Sequence, residues 1–167
     1  MIWEELDQAL IFSDMEAQDY QEVMKKLGGA FIENGYAHEC YIDALIAREK
    51  EFPTGLDVNG IGVAIPHTDV SHVKKPGVAI AVLKQPVDFI QMGSDDDIVK
   101  VQLIFMLAVV DPSAHLERLQ RILQVIQDTE VLEKLLKVKD QKQIIEIIKE
   151  KERELWKRKL LLHVEEQ

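Results

Sequence analysis

The chain has 167 residues, 47% of them hydrophobic, and a formal net charge of -10. That length and apolar fraction fit one domain with a full core. The charge argues against nucleic-acid binding through a broad basic surface, because an acidic chain repels phosphate backbones. The single cysteine, Cys40, excludes an internal disulfide and a multi-cysteine zinc site.

The acid excess lies early in the chain. Residues 1–72 carry 14 Asp and Glu against 4 Lys and Arg, a difference equal to the whole net charge, whereas residues from 144 onward carry 6 of each sign. Such a half either steers a basic partner or serves only as a solubilising surface. The opening "MIWEELDQAL" lacks a basic start and a long apolar stretch, so no secretory leader is expected. The longest apolar run, residues 103–110, falls far short of the roughly 20 residues that span a bilayer. A soluble, cytoplasmic protein is the expectation.

In chain order, Ser13-Asp14-Met15-Glu16 has capping-box spacing. Tyr20, Val23, Met24, Leu27 and Phe31 then recur at helical intervals up to a stop at Asn34-Gly35. A second helix is predicted over residues 39–51, with Ile42, Leu45 and Ile46 inward and Phe52-Pro53 ending it. "PTGLDVNG" reads as a loop by composition. "IGVAI", "GVAIAVL" and "VKVQLIFMLAVV" read as strands, the last two buried on both faces, with "KQPVDF" turning into a short extra strand.

Asp111-Pro112 starts a helix, the aspartate capping it and the proline in the first turn, where its missing N–H costs nothing. Leu116, Leu119, Ile122, Leu123 and Ile126 supply its apolar stripe. A short helix over residues 129–136 follows. A long one starts near Asp140, a second capping-box candidate with Gln143, and runs through Ile144, Ile145, Ile147 and Ile148. In the tail, Leu155, Trp156 and Leu160 are available to pack back, and a partner-binding helix is the competing reading. This order predicts an α/β fold: a single domain with a central mixed β-sheet flanked by helices on both faces and a long C-terminal helix. Residues 1–150 form its body and residues 151–167 a helical extension of the same domain.

His67 is the first candidate for chemistry. It follows "VAIP" at the C-terminal end of a predicted strand, where open α/β sheets place their ligands. Pro66 stiffens the approach, Thr68 adds a hydroxyl, and the turn beyond offers N–H groups to anionic oxygens. A neutral imidazole keeps one nitrogen lone pair for attack, provided a hydrogen bond at the other nitrogen selects that tautomer. A strand-capping histidine is the plain alternative.

Arg48, late in the second helix, offers a planar fork of donors suited to phosphoryl oxygens. It is otherwise a surface arginine pairing with Glu49 or Glu51. His115, in the first turns of the helix after the last long strand, either favours an anion at that positive helix end or faces solvent. His67 and His72, five residues apart, have poor chelate spacing, and no HExxH or cysteine cluster is present, so no metal is expected. His38 and His163 read as surface residues, Cys40 as a small packing residue, and "GSDDDIVK" as a solvated loop. "TGLDVNGIG" lacks the lysine of a phosphate-binding P-loop, and no cofactor is expected.

"ALIAREKEFPTGL", "GIGVAIPHTD" and "HLERLQRIL" together resemble the mannitol/fructose-type EIIA domain of the bacterial phosphoenolpyruvate-dependent sugar phosphotransferase system. "LIAREKEFPTG" looks closest to the galactitol-type EIIA proteins. The similarity runs from the first helix to the isoleucine-rich one. It implies a phosphocarrier that accepts a phosphoryl group from phospho-HPr and passes it to a cysteine of an EIIB partner. The sugar, a galactitol-like polyol, is then handled by the membrane component EIIC. His67 matches the family's phosphorylated histidine, reacting through Nε2. Arg48 matches its active-site arginine, and His115 its second, supporting histidine. Thr54 and Thr68 would neighbour the phosphoryl group, although the family often has a smaller residue at the position of Thr68. A monomer or weak oligomer is implied, and a regulatory EIIA-like module, switched by phosphorylation to bind another protein, is the alternative function.

Overall fold

The valine- and isoleucine-rich runs become the centre of a five-stranded sheet. The computed structural model describes residues 1–165, without the side chains of Pro112, Ala114 and His115. The strands are β1 (Ile11–Met15), β2 (Gly55–Val58), β3 (Ile61–Ala64), β4 (Gly77–Ile90) and β5 (Ile98–Ala108), in the spatial order β1-β4-β5-β3-β2. β1 runs parallel to β4 and β3 parallel to β5, whereas β4–β5 and β2–β3 are antiparallel. The sheet is therefore mixed.

Strand periodicity divides the core between the two faces. Val78, Ile80 and Val82 of β4 and Leu103, Phe105 and Leu107 of β5 point one way. They pack on α3 (Pro112–Ile126), α4 (Thr129–Leu136) and α5 (Gln141–Glu165), through Ile122, Ile126, Leu132, Leu135, Ile144 and Ile148. The alternate positions Ala79, Ala81, Ile104, Met106 and Ala108 face α1 (Tyr20–Glu33) and α2 (Tyr41–Glu51). There the alanines make room for Phe31, Tyr41 and Leu45. Helices on both faces explain why the first half of β4, residues 77–83, and the second half of β5, residues 103–108, lack polar alternation.

Aspartates start every α-helix but α2, which begins after Cys40 with no side-chain cap. Asp19, Asp111 and Asp128 each accept a backbone N–H at the N-terminus of α1, α3 and α4, and Asp140 accepts from Gln143 at the start of α5. Each such cap is worth about 1 kcal/mol.

The structure departs from the sequence reading in four places. The Ser13 capping box is not used: residues 11–15 form β1, with fully buried Ile11 opposite Ile80 of β4, and the true cap is Asp19, one position before the first periodic residue. The "PTGLDVNG" loop contains β2, which an Asn59-Gly60 turn with φ values of 50° and 90° folds back onto β3. "KQPVDF" is an irregularity within one long β4 between Val82 and Val87. The tail packs back only at Leu155, which is partly buried: Trp156 and Leu160 are about half exposed, and Leu161, Leu162 and Val164 more so.

The first residues of that tail are nonetheless built in. Buried Glu152 accepts the N–H groups of Ile2 and Trp3 at 3.0 and 2.8 Å, and buried Lys151 pairs with Asp128 at 2.7 Å. No helix among the described residues is long and apolar enough to cross a membrane.

Candidate functional site

The chain stays beside β5 after β3 ends at Ala64. Its line continues through Ile65 and Pro66 beside the end of β5, where the Leu107 N–H donates to the Pro66 carbonyl at 3.0 Å and His67 bridges Leu107. His67 thus stands, half-buried, at the C-terminal rim of two parallel strands. Its Nδ1 lies 2.9 Å from the Ile65 carbonyl oxygen. A carbonyl can only accept, so Nδ1 carries the proton and the lone pair of the neutral ring is on Nε2. This is the tautomer a nucleophile at Nε2 requires.

The next residues fold into a tight turn. Thr68 is buried and its hydroxyl donates to the Asp69 carbonyl at 2.8 Å. The Asp69 carboxylate caps the short turn at residues 70–72. The Ser71 hydroxyl and N–H hold it below the usual carboxylate range, with His72 and Arg48 adding a weaker pull. Arg48 therefore reaches the field of this turn from the last turn of α2. Its guanidinium lies 5.0 Å over the Phe52 ring, and among the described residues it pairs with neither Glu49 nor Glu51.

The loop leaving α2 arrives at the same rim, because Gly55 of β2 lies opposite Ala64 of β3. Thr54 is buried, and its Oγ1 accepts the Ile65 N–H at 3.1 Å. Thr54 in turn donates its N–H to Oε1 of Glu49 at 2.8 Å, and its hydroxyl lies 3.0 and 2.9 Å from the two carboxylate oxygens. Burial pushes the Glu49 carboxyl up to about 7 against the opposing effect of these hydrogen bonds.

Glu49, expected from the sequence only as a surface partner for Arg48, is buried. A signal was present: Tyr41, Leu45 and Glu49 recur every four residues along one helix face, and all three are buried.

The fold thus gathers His67, Thr68, Arg48 and Thr54 at one end of the sheet. α3 begins four residues after β5 ends, so the backbone of His115 starts from that same end; its side chain lies outside the described residues. His72 is turned to Cys40, with Sγ 3.0 Å from Nδ1, and Cys40 is exposed rather than packed. Among the described residues no group of three His, Cys, Asp or Glu side chains is placed to hold a metal ion. A groove of about 620 Å³ between α3 and α5 contains neither His67 nor Arg48.

A family-wide sequence profile described as "Phosphoenolpyruvate-dependent sugar phosphotransferase system, EIIA 2" matches residues 4–151, and the chain belongs to that family. Its members are phosphotransferase components that carry a phosphohistidine. The galactitol-specific EIIA component of Escherichia coli K12 is 33% identical over 118 residues, which are 71% of this chain and 78% of that protein. Among solved structures, the nitrogen regulatory protein IIA-Ntr of Neisseria meningitidis matches with a TM-score of 0.71 and 29% identity, over 88% of this chain and 98% of that one. The complex of E. coli enzyme IIA mannitol with phosphorylated enzyme IIB mannitol matches in fold at a TM-score of 0.71 and 24% identity, over 86% and 96% of the two chains.

Proposed function

We propose that this chain is a cytoplasmic phosphocarrier for uptake of a galactitol-like polyol, with His67 as the phosphoryl acceptor, phospho-HPr as donor and an EIIB cysteine as recipient. The observation that carries this reading is the Nδ1–H bond to the Ile65 carbonyl, which keeps the lone pair on Nε2 at the rim of the sheet. In the first step the Nε2–P bond forms as the P–N bond of phospho-HPr breaks, and the HPr imidazole leaves neutral. In the second an EIIB thiolate attacks phosphorus, the Nε2–P bond breaks, and His67 returns to its starting tautomer.

Both transfers spread negative charge over three oxygens, and the work is positioning and electrostatic stabilisation. Arg48 supplies the permanent positive charge beside the turn, with His115 as its auxiliary. Thr68 and Thr54 shape the backbone on either side rather than reaching for the phosphoryl group, since both hydroxyls are engaged. Donor and recipient use the same patch in turn, so both complexes are transient and small in area, and the chain acts as a monomer or weak oligomer. The body, residues 1–150, carries this function, and residues 151–167 are an extension of it.

The test is incubation with enzyme I, HPr and labelled phosphoenolpyruvate. Wild type takes up label and His67→Ala does not; equal labelling of the two overturns the assignment. The 29% identity to a nitrogen regulatory IIA favours a second reading, in which phosphorylation switches binding to another protein. Transfer of label onward to a galactitol-type EIIB supports the transport role; no transfer to any EIIB, with phosphorylation-dependent capture of a different protein, supports the regulatory one.

A further inference from the structure

Glu49 is a carboxylate with 6% of its surface exposed and, among the described residues, no cation within ion-pair distance. Burying such a group is costly unless hydrogen bonds compensate, and here one residue, Thr54, provides them all. From Thr54 the connection continues without a break. Its Oγ1 takes the Ile65 N–H, and the Ile65 carbonyl takes the Nδ1–H of His67. Leu107 holds the Pro66 carbonyl immediately beyond. The Ile65-Pro66 dipeptide is therefore clamped at its start from α2, through Glu49 and Thr54, and at its end from β5. The carbonyl between the two clamps is the one that selects the imidazole tautomer. Glu49 also adjoins Arg48, so one anchored helical turn sets both the histidine and the arginine.

We propose that Glu49 is a positioning residue for phosphoryl transfer: through Thr54 it fixes the Ile65 backbone so that its carbonyl keeps the proton on Nδ1 of His67. Its meaning for transfer rests on His67 being the acceptor, but the tautomer itself is a property of the unphosphorylated protein. With the clamp loosened, His67 relaxes toward the tautomer protonated on Nε2, the form with no lone pair there to attack phosphorus.

The test reads the His67 ring nitrogens by ¹⁵N NMR in the unphosphorylated full chain at about pH 8, alongside single-turnover transfer from phospho-HPr. Wild type, Glu49→Gln and Thr54→Ser keep the Nδ1–H signature, because each retains acceptor and hydroxyl. Thr54→Val and Glu49→Ala shift toward the Nε2–H form and transfer about tenfold more slowly, a modest misplacement being enough. If Glu49→Ala fails to fold, the Thr54→Val and Thr54→Ser pair carries the test. A folded Thr54→Val protein with unchanged ring signature and rate overturns the proposal. A shifted signature in a protein whose wild type takes up no phosphoryl group overturns the phosphocarrier reading and leaves the positioning of the ring standing.

Discussion

Arg48 and Asp69 meet electrostatically across the turn that follows His67: the guanidinium at the end of α2 adds to the pull that Ser71 and His72 exert on the Asp69 carboxylate. The loop that leaves this helix holds the strand end directly, with Thr54 Oγ1 accepting the Ile65 N–H and Gly55 opposite Ala64. Arg48 is half-buried, stacked on Phe52 and clear of its acidic neighbours, so its charge is available to a phosphoryl group.

Replacing Arg48 with alanine is expected to slow transfer from phospho-HPr by about 10²-fold, the usual cost of one electrostatic donor at a transition state. Melting should change little, because the ring on which Arg48 stacks, Phe52, is itself 54% exposed and outside the core. Arg48→Lys restores part of the rate, since a point charge replaces a planar fork. Rapid-quench kinetics on the two variants, with thermal melts alongside, check this. An alanine variant as fast as wild type would make Arg48 a surface charge.

Glu49 makes stability depend on pH in a defined window. Its carboxyl is raised in the fold to about 7 from an ordinary value of 4.5. Below about pH 4.5 both folded and unfolded chains hold the proton, and the residue is neutral to folding. Between about 4.5 and 7 the unfolded chain loses the proton while the folded one keeps it, so rising pH favours unfolding. Above 7 the penalty is complete, at about 3 kcal/mol for a shift of this size. Glu49→Gln, which never ionises, should gain on wild type by that amount between pH 4.5 and 8 in urea titrations. A constant difference across the range would refute the buried-carboxylate account.

Lys151 is 7% exposed at its side chain and pairs with Asp128, 28% exposed, which also caps α4. Lys151→Met removes the cation and leaves the Asp128 charge half-enclosed. The expected loss is about 1 to 3 kcal/mol, read as a lower urea midpoint. Truncation after Leu155 should cost under about 1 kcal/mol, because the side chains removed include the exposed Trp156, Leu160, Leu161, Leu162 and Val164. A large loss on truncation would mean that the tail is covered in solution.

At Gly62 of β3, an added Cβ would overlap the Lys100 carbonyl oxygen of the neighbouring β5, and backbone cannot move aside as a side chain can. Gly62→Ala is expected to cost about 3 kcal/mol or more and to lower transfer as well, since β3 leads directly into the Ile65-Pro66-His67 segment. Circular dichroism melts and the labelling assay on one preparation check both effects. Wild-type melting would show that β3 has room to shift.

Much of this protein could be read from residue order alone. Proline-limited and aspartate-capped helices, the apolar stripes and the buried halves of β4 and β5 follow from local rules, because capping and periodicity act within a few residues of each other. The strand-end histidine of "VAIPH" and the arginine before the Gly-containing loop were visible for the same reason. β1 and β2 were not: their extended form comes from pairing with β4 and β3, partners 69 residues away for Ile11 and across a turn for Gly55. Pairing of that kind overrides a capping signal or a loop-like composition. The acceptor for His67 Nδ1, and the hidden link from Glu49 through Thr54 to Ile65, belong to the tertiary structure alone. Which carbonyl faces an imidazole, and whether a glutamate in a charged run lies in water or in the core, depends on how α2 docks against the strand ends. Docking of that kind is a sum over contacts distant in sequence, and no local pattern encodes it.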